Sequence, residues 1–226
     1  MENSLNIRTI EKISFAYFGT AFLFLINEIF KIHPILNFSG TIRLFILVIL
    51  YLYSSSKKNS IYLGVLVFVI ISNYLFQLKD QKFLAYGMVA YLFNRLFTVV
   101  LVYKSIKGIK AFPVIIASIP FLFFYLYMIF LAEELFSLGF FSLFLNSLFM
   151  SFLGGISLSN YYLDHNDYNN KNALLLVSII LFVMQNLIFL LQKYYQFDGL
   201  FEPVSIILNT AALYVFYKFV LLSEQN

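Results

Sequence analysis

The chain has 226 residues, 62% of them hydrophobic, 20% aromatic and 12% charged, with a net charge of +4. A soluble domain carries about 25% charged residues, so this composition excludes a self-contained water-soluble domain and places the chain in the membrane class. There is no Cys, and the two histidines, His33 and His165, sit near predicted loops, so disulfides, thiolate sites and a metal centre are not expected.

Eight apolar segments follow one another, each close to the roughly 20 residues that cross a bilayer. The first, 13–30, is preceded by Arg8 and Lys12. Its "FGTAFLFLINEIF" lacks a small-x-small cleavage pattern, so it reads as a span and not as a removable signal peptide. It ends with Asn27 and Glu28, and the second span, 35–53, carries Arg43 about two turns from its start. The third, 61–77, has Asn73 near its end. The fourth, 84–103, contains Asn94 and Arg95 about 11 residues in, some ~16 Å at the helical rise and so near the midplane.

The fifth span, 111–131, has Pro113 and Pro120 in its first half, which are expected to bend it. Glu133 and Glu134 follow in a turn and are expected to be solvated. In the sixth, 135–157, Ser147, Ser151, Gly155 and Ser159 recur every four residues, a small-residue face suited to close helix approach. This span is expected to serve packing and not chemistry. The seventh, 173–192, carries Asn186, and the eighth, 203–222, carries Asn209 and Thr210.

The breaks between spans are short and polar ("SSSKKNS", "QLKDQK", "YKSIKGIK", "DHNDYNNKN"), which favours antiparallel neighbours. The expected fold is all-α: a single polytopic domain over 1–226, an up-and-down bundle of eight transmembrane helices. Continuous apolar runs, without alternation, disfavour a β-barrel. Tyr51, Tyr53, Tyr62, Tyr86, Tyr103, Tyr161, Tyr162, Tyr194 and Tyr195 lie near span ends, where rings settle at headgroup level. With Lys218 near the C-terminal end of the last span counted alongside those between spans, nine Lys and Arg fall on the side of both termini and four on the other, so both termini are expected in the cytoplasm. The Lys residues thus read as topology, and nucleic acid is not an expected partner. Residue usage rich in Ile, Phe, Asn, Lys and Tyr is that of an AT-rich bacterial genome, with the inner (plasma) membrane as the expected location.

In this topology the intramembrane polar residues collect between the midplane and the outer surface, and the cytoplasmic half is nearly all apolar. A charge at the bilayer centre costs a few kcal/mol, so Arg95 should face the bundle interior or a polar cavity. The expectation is that Arg95 or Arg43 pairs with Glu28 at the base of an outward-opening pocket. The competing reading has the arginines snorkelling and each Asn acting as interhelical hydrogen-bond glue. An echo adds to this picture: "NEIFKI" at Asn27, "NYLFQL" at Asn73 and "NLIFLL" at Asn186 share Asn-x-x-Phe-x-(Ile/Leu). Asn73 and Asn186 lie half a chain apart, as in two parallel four-helix halves facing one central site.

The layout resembles the lysoplasmalogenase-like (YhhN) family of eight-span membrane proteins. The more specific part is residues 72–98, "SNYLFQLKDQKFLAYGMVAYLFNRLFT". Where that family has Gly-Asp near the end of the third span, this chain has Ser72 and Asn73. The family's fourth-span Gly is Gly87, and its His is Asn94. The family's seventh-span Ser-Asp falls on Gln185 and Asn186. The resemblance implies vinyl ether hydrolysis of a lysophospholipid, which needs a proton delivered to carbon and a water added, work for carboxyl groups and not for amides.

Two functions therefore stay open, neither requiring a cofactor. One is a lysoplasmalogenase-type hydrolase or a catalytically impaired variant. In it Glu28 handles protons, Asn73 and Asn186 hold the family's catalytic positions, and Arg43, Asn94, Arg95 and Asn209 bind substrate. The other is a non-catalytic protein that binds or carries a membrane lipid or small solute in the same pocket. A third reading leaves the polar residues to pack helices alone. No phosphate-binding glycine loop, zinc-protease helix or nucleophile motif is present.

Overall fold

The computed structural model describes residues 2–33, 38–78, 81–106, 108–130, 138–163, 170–195 and 201–225. Eight α-helices account for them: α1 (Glu2–Phe30), α2 (Ser39–Ser54), α3 (Ser60–Gln77), α4 (Gln81–Ser105), α5 (Ala111–Phe130), α6 (Leu138–Leu163), α7 (Lys171–Tyr195) and α8 (Phe201–Gln225). Each expected span is a helix, and no strand occurs among the described residues. α1 starts well before residue 13 because "ENSLNIRTIEK" contains no Gly or Pro to stop it. α5 runs on through Pro120 as one helix. Glu133, Glu134 and His165 lie outside the described residues.

Six helices are long and apolar enough to cross a membrane, α5 is an apolar helix of 20 residues, and α2, with 16, is shorter. The outer surface is that of a membrane bundle: Phe15, Phe112, Phe123 and Phe130 are exposed by 81%, 74%, 70% and 86%. Soluble surfaces do not carry apolar patches on this scale.

Successive helices pair as α1·α2, α3·α4, α5·α6 and α7·α8, and α2·α3, α6·α7, α4·α6 and α1·α8 close the arrangement. The loop before α3 shows how a tight return is built. Lys58 adopts a positive φ of 47°, its N–H donates to Ser55 Oγ at 2.8 Å, and Asn59 Oδ1 caps α3 by accepting from Ile61 N–H at 2.9 Å.

The apolar core is concentrated in the half of the bundle that carries both termini, with Leu47, Leu50, Leu66, Val102, Leu153, Ile156, Leu175, Phe216 and Phe219 all buried. The small-residue face of α6 meets α5. A Cβ added at Gly155 would lie 2.6 Å from the Val114 carbonyl oxygen, so only glycine admits this approach. Ser147, Ser151 and Ser159 are buried on the same face, and the hydroxyls of Ser147 and Ser151 donate to backbone carbonyls of their own helix, four residues earlier.

Two sequence expectations change here. Tyr53, Tyr86, Tyr103, Tyr161 and Tyr162 are exposed near helix ends, but Tyr51 and Tyr62 are fully buried and meet edge-to-face at 4.6 Å. Neither is a belt residue, because the polar partner of Tyr51 lies inside the protein. That partner is Glu224, a buried carboxylate that accepts from Tyr51 at 2.5 Å and from Ser55 Oγ at 2.6 Å. Tyr217 donates to Ser54 Oγ beside it at 2.7 Å. The half expected to be nearly all apolar therefore contains a polar cluster joining α2 to α8.

Candidate functional site

At the end of the bundle opposite the termini the apolar core gives way to a cavity of about 310 Å³. Small-molecule sites begin at about this size. All eight helices contribute to its wall. Phe24, Phe76, Leu84, Met88, Phe189 and Ile206 give it apolar surface, and Glu28, Arg43, Asn73, Gln77, Asn146, Gln185, Asn186 and Asn209 supply the polar groups. Alternating helix direction explains the convergence: the C-terminal parts of α1, α3, α5 and α7 and the N-terminal parts of α2, α4, α6 and α8 meet at this end.

Arg43 is the charged centre of the wall. It is 1% exposed and is held between α2 and α8, donating through Nη2 to Asn209 Oδ1 at 2.7 Å and through Nη1 to Thr210 Oγ1. Asn209 donates onward to Gln185 Oε1 at 3.1 Å, and Tyr17 OH donates to the Thr210 carbonyl at 2.9 Å. Asn73 lies across the wall. Its Nδ2 donates to Thr41 Oγ1 at 3.2 Å, and Thr41 donates to Gln77 Oε1 at 3.1 Å, which fixes the ends of α2 and α3 together.

Arg95 sits one layer behind the wall. It is 1% exposed, is absent from the cavity lining, and packs its guanidinium 4.5 Å from the Tyr91 ring centroid and 4.4 Å from that of Phe182. Two aromatic faces stabilise a desolvated guanidinium. Its Nη2 donates to the Tyr91 hydroxyl, which donates to Asn186 Oδ1 at 3.0 Å, and Asn186 Nδ2 donates to Tyr125 OH at 3.3 Å.

Glu28 lines the cavity at 7% exposure, but its partner is Lys31, one turn on in sequence. The expected pairing of Glu28 with Arg43 or Arg95 is not formed. Lys31 also reaches Glu202 Oε2 at 3.9 Å, so a single lysine stands between the two carboxylates of the wall. The proximity of Lys31 in the same chain segment decides the pairing, while the arginines are held by neutral groups on other helices.

Of the residues singled out in the sequence, the structure brings Glu28, Arg43, Asn73, Asn186 and Asn209 to one cavity. Asn94 has a different place: it is 3% exposed, away from the lining, and donates to the Val65 carbonyl at 2.7 Å, tying α4 to α3. α6 also departs from its expected role of packing alone, because Ser142, Asn146 and Ser147 line the wall. Residues missed in the sequence include Tyr91, Tyr125, Gln77 and Asn146. Tyr91 was legible, being four residues before Arg95 on one helix face. Asn146 was a mid-span amide like the others, and Tyr125 carried no signal among so many aromatic residues.

Among the described residues no group of His, Asp and Glu could hold a metal ion. No family model matches the chain, and no match is found among curated proteins or solved structures. The fold and the cavity on their own define a helical integral membrane protein with a polar pocket built into one half of the bundle.

Proposed function

We propose that the protein binds a single-chain, lipid-like amphiphile in this cavity and does not cleave it. The observation that carries the reading is the wall itself. Phenylalanine, leucine and methionine side chains suit an acyl chain, and convergent amides from several helices suit a polar end. The layout is akin to the lysoplasmalogenase-like architecture, but amides occupy the wall where proton transfer would need carboxyl groups. Asn73 and Asn186 form hydrogen bonds and do not titrate.

A second reading, lysoplasmalogenase-type hydrolysis, is favoured by one feature: Glu28 is a buried carboxylate on the cavity wall. A lysoplasmalogen substrate separates the two. Binding without aldehyde release above that of the Glu28→Gln variant supports the first reading. Aldehyde release that disappears in Glu28→Gln supports the second. The absence of any saturable binding by lysoplasmalogen or by a plain lysophospholipid rejects both.

A further inference from the structure

We infer that the polar end of the bound amphiphile is an oxyanion, a phosphate ester or a carboxylate, and that Arg43 holds it; this rests on the cavity being an amphiphile site. A guanidinium is charged at all relevant pH and presents five N–H donors in a planar fork. Burying such a charge is costly unless an opposite charge accompanies it. Among the described residues no carboxylate lies within ion-pair distance of Arg43. Its two given acceptors, Asn209 Oδ1 and Thr210 Oγ1, are neutral, and its Nε is buried without an acceptor.

The wall's own carboxylates do not supply the missing charge. Glu28 is held by Lys31, and Glu202 lies near the same lysine. A second unmet donor comes from α3 and lies against the start of α2. Gln77 Nε2 is buried without a partner, and a Cβ at Gly40, one turn from Arg43, would lie 3.0 Å from it. Two unmet donors, one of them cationic, on residues that line one cavity are groups that the oxygens of a phosphate or carboxylate satisfy. Arg95 has the opposite assignment. Its Nε is buried without an acceptor too, but it lies behind the wall and outside the cavity lining, where two aromatic faces and the Tyr91 hydroxyl hold the guanidinium, so it positions Tyr91 without touching ligand.

The test compares four probes on the full chain in a neutral maltoside detergent: dodecyl phosphate, dodecanoate, monolauroylglycerol and inorganic phosphate. Wild type is expected to bind the two anionic amphiphiles about tenfold or more tighter than the neutral glyceride. Arg43→Gln erases that preference. Asn209→Asp erases it too, by giving Arg43 an internal carboxylate while keeping the guanidinium in place. Asn209→Asp decides the matter if Arg43→Gln fails to fold. Equal affinity for charged and neutral amphiphiles in wild type overturns the oxyanion assignment and leaves the amphiphile reading standing. Inorganic phosphate binding as tightly as dodecyl phosphate keeps the Arg43 site and overturns the amphiphile reading. Binding of none of the four overturns both.

Discussion

Gln185 and Asn186, neighbours in the chain, each hold the shell of a different buried arginine. Gln185 Oε1 accepts from Asn209, whose own Oδ1 accepts from Arg43. Asn186 Oδ1 accepts from Tyr91, whose hydroxyl accepts from Arg95. Consecutive residues of a helix point about 100° apart, so from one turn of α7 one amide supports Arg43 in the cavity wall and the other supports Arg95 behind it. The two cations are thereby tied to a common rigid element, although they lie on different helices and share no ligand.

Removing one amide should therefore damage more than its own bond. In Asn186→Ala the Tyr91 hydroxyl loses its acceptor and the buried Tyr125 loses its donor. Leaving buried polar groups unmet costs about 1–3 kcal/mol, which at this chain length lowers the unfolding temperature by roughly 2–4 °C per kcal/mol. Thermal unfolding in detergent measures it. An unchanged transition would mean that Tyr91 and Arg95 are held without Asn186.

Asn94→Ala offers the contrast. Asn94 ties α4 to the Val65 carbonyl and does not reach the cavity. Interhelical side-chain hydrogen bonds in membranes average about 0.6 kcal/mol, so a small fall in stability is expected with amphiphile affinity unchanged. A loss of affinity with intact stability would return Asn94 to the binding site.

The eight helices and the convergence at one end were legible because both follow from simple rules. Spans need long apolar runs, and a polar residue inside one must face protein. The echo was informative in two of its three copies: Asn73 and Asn186 line one cavity, and the rings of Phe76 and Phe189 meet at 5.9 Å. The first copy diverges. Phe30 is exposed, and Asn27 turns its Oδ1 to the His33 N–H. Pairing was not legible. Charge alone nominated Glu28 for the arginines, but Lys31 is only three residues away on the chain and reaches it first. Nor was the Glu224 cluster, because it lies at a span end where a carboxylate reads as solvated.

Close packing of α5 on α6 should matter to the cavity as well as to stability. Gly155 faces the Val114 carbonyl, a backbone atom that cannot swing away, and Tyr125 reaches the cavity from the far end of the same α5. Gly155→Ala forces the helices apart, with an overpacking cost of about 1–3 kcal/mol. It should also weaken the Tyr125 contact to Asn186. The expected signature is a lower unfolding temperature together with weaker dodecyl phosphate binding. Lower stability with unchanged binding would show that α5 does not shape the site.

The Glu224 cluster makes a prediction of the opposite kind, confined to stability. Glu224 accepts hydroxyl hydrogen bonds from Tyr51 and Ser55, and Tyr51 OH accepts in turn from the Asn59 N–H at the start of α3. α8 is thus fastened to the α2–α3 turn at the end of the bundle away from the cavity. Glu224→Ala leaves two hydroxyls facing a dry gap, at about 1–3 kcal/mol. Glu224→Gln keeps one acceptor for Tyr51, and Ser55 can reverse its hydroxyl to accept from the amide, so the loss should be smaller. The order wild type, then Gln, then Ala in unfolding temperature tests the contact, with dodecyl phosphate affinity equal in all three. If Gln is as damaging as Ala, the negative charge matters and not the hydrogen-bond count. If affinity falls with stability, the two ends of α8 are coupled through its length, and the seam between α2 and α8, pinned by Arg43 at one end and Glu224 at the other, moves as one body.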